Sequence, residues 1–222
     1  DIDEISKILK ERAILLHLDI SHVFGKMEID LSALQADFIT LDGALIHGPR
    51  SSGLIWVKKG IKLDPFLMGG LDQGGHRGAP LDIALLTGLA EAVKESIDAI
   101  DYVSTETARL KRKFEKGIEK IGGKILFQDK NRLPHITAAV FPHIPNEALL
   151  YRLNKDNLFA SMGGGNLQHI GFVLNALDVP DDESRSALSF ALSRETSEED
   201  IDRAIQLIER NVQELLKVTK SI

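Results

Sequence analysis

An aspartate set among histidines, His17, Asp19 and His22, precedes a loop that reads Asp42-Gly43-Ala44-Leu45-Ile46-His47-Gly48-Pro49-Arg50. Carboxylate and imidazole side chains can ligate a divalent metal. On a strand, His17 and Asp19 would share a face, but His22 reaches them only through a bend, so no metal site is expected. His135 and His143 follow Pro134 and Pro142 and read as strand-end residues. With no cysteine in the chain, disulfides, thiolate metal sites and thiol nucleophiles are all absent.

The elements that would position these groups follow from periodicity. Ile2, Ile5, Ile8 and Leu9 have helical spacing, and Ala13–Leu18 then reads as a buried strand. A short helix started by Asp30 or Ser32 leads to a strand at Phe38–Leu41, and a second apolar run, Leu54–Val57, follows the loop. Strand, crossover and strand imply an α/β sheet with parallel neighbours. Gly60–Gly78 reads as irregular. From Pro80 to Ile121 apolar residues recur at three or four positions, with proline at the first turn and Gly122-Gly123 at the end. About 40 residues at ~1.5 Å each make a helix of ~60 Å, which reads as a connector between lobes, with a kink midway.

Beyond it, short strands at Lys124–Phe127, Ile136–Val140, Leu158–Ala160 and Ala187–Leu192 alternate with helices near Asn146–Asn154 and Ile170–Ala176. The last helix opens on Thr196-Ser197-Glu198-Glu199, with Thr196 as cap and the glutamate three residues on as its reciprocal partner. Ile201, Ile205, Ile208, Val212 and Leu215 form its apolar stripe.

Composition narrows the function classes. A 222-residue chain with 43% apolar residues can bury a core. The net charge of -6, from 33 acids and 27 bases, is interspersed, so neither nucleic acid nor a membrane is an expected partner. No apolar run approaches the ~18 residues of a membrane span, and the N-terminus lacks a signal-peptide pattern; a cytoplasmic place is expected. The first residue is Asp1, so the chain is expected to be processed, trimmed or excerpted from a longer product.

The segment DFITLDGALIHGPRSSGLIWVKK, Asp37 to Lys59, resembles the cofactor-lysine loop of the class V aminotransferase and cysteine desulfurase family. HLDISHVFGKMEID, GIKLDPFLMGG and TSEEDID resemble three further family segments. The resemblance covers the whole chain and implies the C-terminal part of such a protein. It would comprise part of a pyridoxal-phosphate fold-type-I large α/β domain at 1–98, a long connecting helix at 80–121 and a smaller α+β domain at 122–222.

The family's lysine, two residues before His-Gly-Pro, binds pyridoxal phosphate covalently; here that position is Leu45. An isobutyl group has no amine to offer. By the same resemblance Asp19 is the carboxylate that pairs with the pyridine nitrogen. His22 stands where a glutamine contacts the ring's phenolic oxygen. Pro80 replaces a threonine that reaches the cofactor phosphate, and proline has neither hydroxyl nor amide hydrogen to donate. Ser189 replaces an arginine that clamps the substrate carboxylate, while Arg194 matches a second, structural arginine. The loop that carries the nucleophilic cysteine is reduced to Ala160–His169, read as a flexible turn, with a glycine-rich anion nest as the alternative.

Two expectations follow. The first is a degenerate, non-catalytic relative without bound cofactor, acting as an interaction or regulatory subunit, with Asp19 and His22 as a vestigial site. The second is an enzyme of altered chemistry that holds pyridoxal phosphate non-covalently through Asp19 and His22, or is completed by another polypeptide. Unpaired strand edges imply association, as a homodimer or with a polypeptide that completes the large domain. A sulfur-acceptor or iron–sulfur scaffold protein is implied by the resemblance alone.

Overall fold

The computed structural model describes residues 1–164 and 168–219 and divides into two compact units, Asp1–Asp101 and Tyr102–Ile222. The first unit opens with helix α1, Ile2–Glu11, whose Asp1 carboxylate accepts the Glu4 N–H. A three-stranded sheet follows, β1 (His17–Asp19), β2 (Phe38–Asp42) and β3 (Gly53–Val57), in that order. β1 runs parallel to β2, and β3 antiparallel to it with Phe38 opposite Val57 and Asp42 opposite Gly53. The parallel pair expected from strand, crossover and strand is thus present.

Two expectations are corrected here. The strand predicted over Ala13–Leu18 is only His17–Asp19, and its His17 and Asp19 are exposed. Ala13 has a positive φ of 54° and ends α1 in a tight turn, which uses up residues the strand would have needed. No helix starts at Asp30 or Ser32. Asp30 accepts both the N–H (2.9 Å) and the hydroxyl (2.6 Å) of Ser32, a local closure that competes with helical hydrogen bonding.

Helix α2, Ile83–Asp98, is capped by Asp82, whose side chain accepts the Leu85 N–H at 3.0 Å. Pro80 therefore lies outside the first turn. The long apolar periodicity continues, but Ala99 interrupts it and helix α3, Ile100–Lys120, begins afresh. Val103, Thr107, Leu110, Phe114 and Ile118 are buried along α3, the residues its spacing selects.

The second unit carries the sheet β4 (Lys124–Ile125), β5 (Ile136–Val140) and β8 (Ala187–Ala191), all neighbours antiparallel. Helices α4 (Asn146–Lys155), α5 (Ile170–Asn175), α6 (Asp181–Ser184) and α7 (Glu198–Thr219) complete it. Leu110, Phe114, Ile118, Leu149, Leu188 and Ile208 are among the buried side chains of its core. Phe114 and Phe190 meet at 5.1 Å between ring centres, within the range aromatic pairs favour.

Three more details differ from expectation. Leu158–Ala160 is not a strand; only Ser161 bridges to Ser189. The strand at Lys124 stops at Ile125, because Phe127 turns with φ 55°. The cap of α7 is Ser197 rather than Thr196. Ser197 Oγ accepts the Asp200 N–H at 3.1 Å, and the Asp200 carboxylate accepts the Ser197 N–H at 2.9 Å. This capping box lies one residue on because Thr196 Oγ1 already accepts the Ser193 N–H.

Candidate active site

In the first unit, β1 and β2 end side by side, and Asp19, the turn with His22 and the Leu45 loop sit at their carboxyl ends, where open α/β sheets place ligands. Asp19 is the last residue of β1. Its Oδ1 accepts the Ser21 N–H at 2.9 Å and the Ser21 hydroxyl at 2.5 Å. These two bonds, and then the nearby His17 and His22, hold the Asp19 carboxyl below its ordinary range despite some desolvation. His22 is exposed in the turn after β1. His17 is committed elsewhere, its Nε2 lying 2.9 Å from Thr40 Oγ1 on β2.

Ser21 also accepts the Asp42 N–H at 2.9 Å, which ties the β1 exit to the start of the next loop. This buried serine was not singled out from the sequence, although the Asp-x-Ser spacing that locks it was visible and recurs at Asp30 and Ser32. The Asp42 carboxylate accepts the Ala44 N–H at 2.9 Å and caps a single turn of 3-10 helix, Gly43–Ile46. His47 closes that turn in the left-handed region with φ 64°, and Gly48 N–H returns to the Gly43 carbonyl at 2.8 Å. Gly43 is required: a Cβ there would stand 2.1 Å from Ser52 Oγ and 2.9 Å from Leu89 of α2.

Within this braced loop Ile46 is fully buried and Leu45 is 39% exposed. Leu45 is therefore not a core residue placed there by packing. From Asp42 to Gly53 there is no lysine, and Arg50 is the only lysine or arginine.

Of the other positions singled out, Pro80 belongs to the first unit, and Ser189, Arg194 and the segment Ala160–His169 belong to the second. Pro80 is exposed ahead of α2. Ser189 is on β8 opposite Ala138 and exchanges backbone hydrogen bonds of 2.7 and 2.8 Å with Ser161. Arg194 Nε lies 3.3 Å from the Glu195 carboxylate. The segment read as a flexible turn, Ala160–His169, contains a two-stranded ladder, β6 (Gly163–Gly164) with β7 (Gln168–His169). Met162 packs against the core of the second unit, and residues 165–167 lie outside the described residues. Among the described residues no group of three metal-ligating side chains comes together.

A cleft of about 550 Å³ in the second unit lies beside His143, Asn146, His169, Phe172, Asp181 and Arg185. Its arginine is paired with Asp181 at 2.8 Å.

Residues 1–204 match the family model of class V aminotransferases. The chain belongs to that family. It is 30% identical over 224 residues to the cysteine desulfurase NifS of Azotobacter vinelandii, covering 98% of this chain and 56% of that protein. It is also 30% identical over 218 residues to the cysteine desulfurase IscS of Methanosarcina thermophila, covering 96% and 54%. The class V chain thus spans about half the length of these relatives.

Its fold superposes on a NifS-like protein with a TM-score of 0.88 at 23% identity, covering 96% of this chain and 57% of that one. A NifS-like protein from Rickettsia africae ESF-5 gives 0.86 at 25%, with the same coverage. The architecture is that of fold-type-I pyridoxal-phosphate proteins, and the family depends on that cofactor. Between Asp42 and Gly53 no side chain carries a primary amine. No helix among the described residues is long and apolar enough to cross a membrane.

Proposed function

We propose that this chain is a class V scaffold that does not perform the family's cofactor chemistry by itself and acts as an interaction or regulatory subunit. The observation that carries this reading is Leu45: a half-exposed hydrocarbon in a loop otherwise fully braced by Asp42, Gly43, His47 and Gly48. The absence of cysteine from the chain, and Pro80 and Ser189 at the two positions singled out by resemblance, support it. The scaffold of the site is kept and the reactive groups are not.

The test is spectroscopic. Purified protein incubated with pyridoxal phosphate should develop no visible band that borohydride abolishes; such a band in the unaltered chain overturns the reading.

One observation favours a second reading. The Asp19 carboxylate is held ionised at the end of β1, and both hydrogen bonds it accepts from Ser21 fall on one oxygen, Oδ1. An anion in that place could pair with a protonated ring nitrogen without any covalent link, or serve a site whose amine and thiol come from another polypeptide. Titration calorimetry with the cofactor separates the two, since heat at high micromolar concentration, lost in Asp19→Asn, supports non-covalent binding.

A further inference from the structure

The cleft of about 550 Å³ in the second unit is within the size range of small-molecule sites, and that unit alone supplies its walls. The buried residues that line it are Asn146, Ser184 and Ser186, at 4%, 0% and 7% exposure. His143, Glu147, Phe172, Asp181 and Arg185 also line it and are exposed. The cleft therefore has an uncharged polar floor and a charged, aromatic rim.

Two polar atoms of that floor have no use within the fold. Asn146, at the start of α4, donates from Nδ2 to the Ala187 carbonyl at 3.1 Å and from its backbone N–H to the Arg185 carbonyl at 2.9 Å. Because a carbonyl only accepts, the side-chain amide cannot be turned round, and Oδ1 is left as an acceptor. Among the described residues nothing donates to that oxygen, and the Ser186 hydroxyl makes no hydrogen bond. Ser184, by contrast, donates to the Val179 carbonyl at 3.3 Å. A buried polar group without a partner is costly and rare, so two that line one cleft point to a ligand.

The same residues set the ligand's chemistry. An uncharged floor cannot offset the desolvation of an ion, so the inserted part is neutral. Oδ1 requires a donor, while the Ser186 hydroxyl can give or take a hydrogen bond. Phe172, 61% exposed and edge-to-face with His169 at 6.4 Å between ring centres, offers a ring face to a flat partner. The rim disfavours phosphate, because Arg185 is already paired with Asp181 at 2.8 Å and Glu147 adds a second carboxylate.

We propose that this cleft binds an amine-bearing nucleobase, free or as its nucleoside. Its exocyclic amine donates to Asn146 Oδ1, a ring nitrogen accepts from Ser186 Oγ, and its face stacks on Phe172. The site goes beyond the reading of Leu45 and is independent of it, since its residues all belong to the second unit.

Adenosine is the probe. Titration calorimetry of the 222-residue chain should show saturable binding, with NMR shifts at His143 and His169 and none at His17 or His22. Inosine, which has a carbonyl oxygen where adenosine has its amine, should bind at least about tenfold more weakly. Adenosine monophosphate should bind no more tightly than adenosine. Ser186→Ala removes a hydroxyl that the fold does not use, so it should leave the urea midpoint unchanged while weakening adenosine about 3- to 10-fold. Phe172→Ala should weaken it about fivefold or more.

No saturable heat up to millimolar adenosine would overturn the proposal. So would equal affinity for inosine, shifts confined to His17 and His22, or unchanged adenosine binding by Ser186→Ala. A lowered urea midpoint in Ser186→Ala would overturn it as well, because the hydroxyl would then serve the fold.

Discussion

Ser21 Oγ accepts the backbone N–H of Asp42 at 2.9 Å, joining the exit of β1 to the first residue of the Leu45 loop. The same hydroxyl donates to Asp19. One small side chain therefore both lowers the carboxyl's pKa and fixes the starting point of the loop. Ser21→Ala should raise the Asp19 pKa toward its ordinary value, since the largest cause of its depression is removed. It should also cost about 1–2 kcal/mol by leaving the Asp42 N–H without that acceptor. Carbon-detected NMR titration of Asp19 and urea unfolding measure the two effects.

Leu45 and Ile46 are adjacent but have opposite environments, 39% and 0% exposed. Leu45→Lys should change stability by no more than about 0.5 kcal/mol, because the longer side chain can reach solvent. Ile46→Ala should cost about 2–4 kcal/mol through the cavity it leaves beside Leu41 and Leu89. Urea midpoints of the two variants decide this, and equal costs would mean that Leu45 is a packing residue after all.

In the second unit Glu115 is buried and accepts from Arg132 at 2.7 Å and from the Thr137 hydroxyl at 2.6 Å. Lys111, also buried, lies 3.9 Å from Glu115 and donates to the Leu133 carbonyl at 2.8 Å. Glu115→Ala leaves two cations without their shared anion and should destabilise the chain by about 3–5 kcal/mol. Thermal unfolding tests it; replacing Glu115 and Arg132 together by apolar residues should recover much of the loss.

Burial, and then Arg132, push the Lys111 ammonium below its ordinary value. The folded state thus binds fewer protons than the unfolded one between that lowered value and the usual lysine range, so stability should rise with pH across this interval. Lys111→Met should remove that slope, which is read from urea midpoints between neutral and alkaline pH.

Glu198, at the start of α7, faces Lys113 and Arg109 of α3 at 2.8 Å each. Hydrogen bonds from Lys113 and Arg109 lower its pKa to about 2 from 4.5. A depressed carboxyl stabilises the fold above its unfolded pKa, and this contribution is lost as pH falls from about 4.5 towards 2. The stability difference between the unaltered chain and Glu198→Gln should therefore be present at pH 6, be lost as pH falls to about 2 and shrink with added salt, because the group is half-exposed.

The periodicity of α3 and α7 was legible along the chain because apolar side chains at three- and four-residue spacing bury wherever a helix has a core to face. β2, β5 and β8 were equally legible as apolar runs. The start of α7 was legible only to within one residue, since Thr196 and Ser197 are both competent caps and the choice turned on Ser193 taking up Thr196. The missing helix at Asp30 and the shortened β1 show local hydrogen bonds and a left-handed turn prevailing over propensity.

The sequence by itself determined the chemistry that is absent: no amine in the Asp42–Gly53 loop and no thiol anywhere, since a functional group that is not encoded cannot be supplied by folding. Only the tertiary structure decided which groups meet. Ser21 links Asp19 to Asp42 across the parallel strands, Leu45 stands out of the core while Ile46 fills it, and β3 pairs with β2 alone among the described residues. Those outcomes depend on contacts between residues distant in sequence.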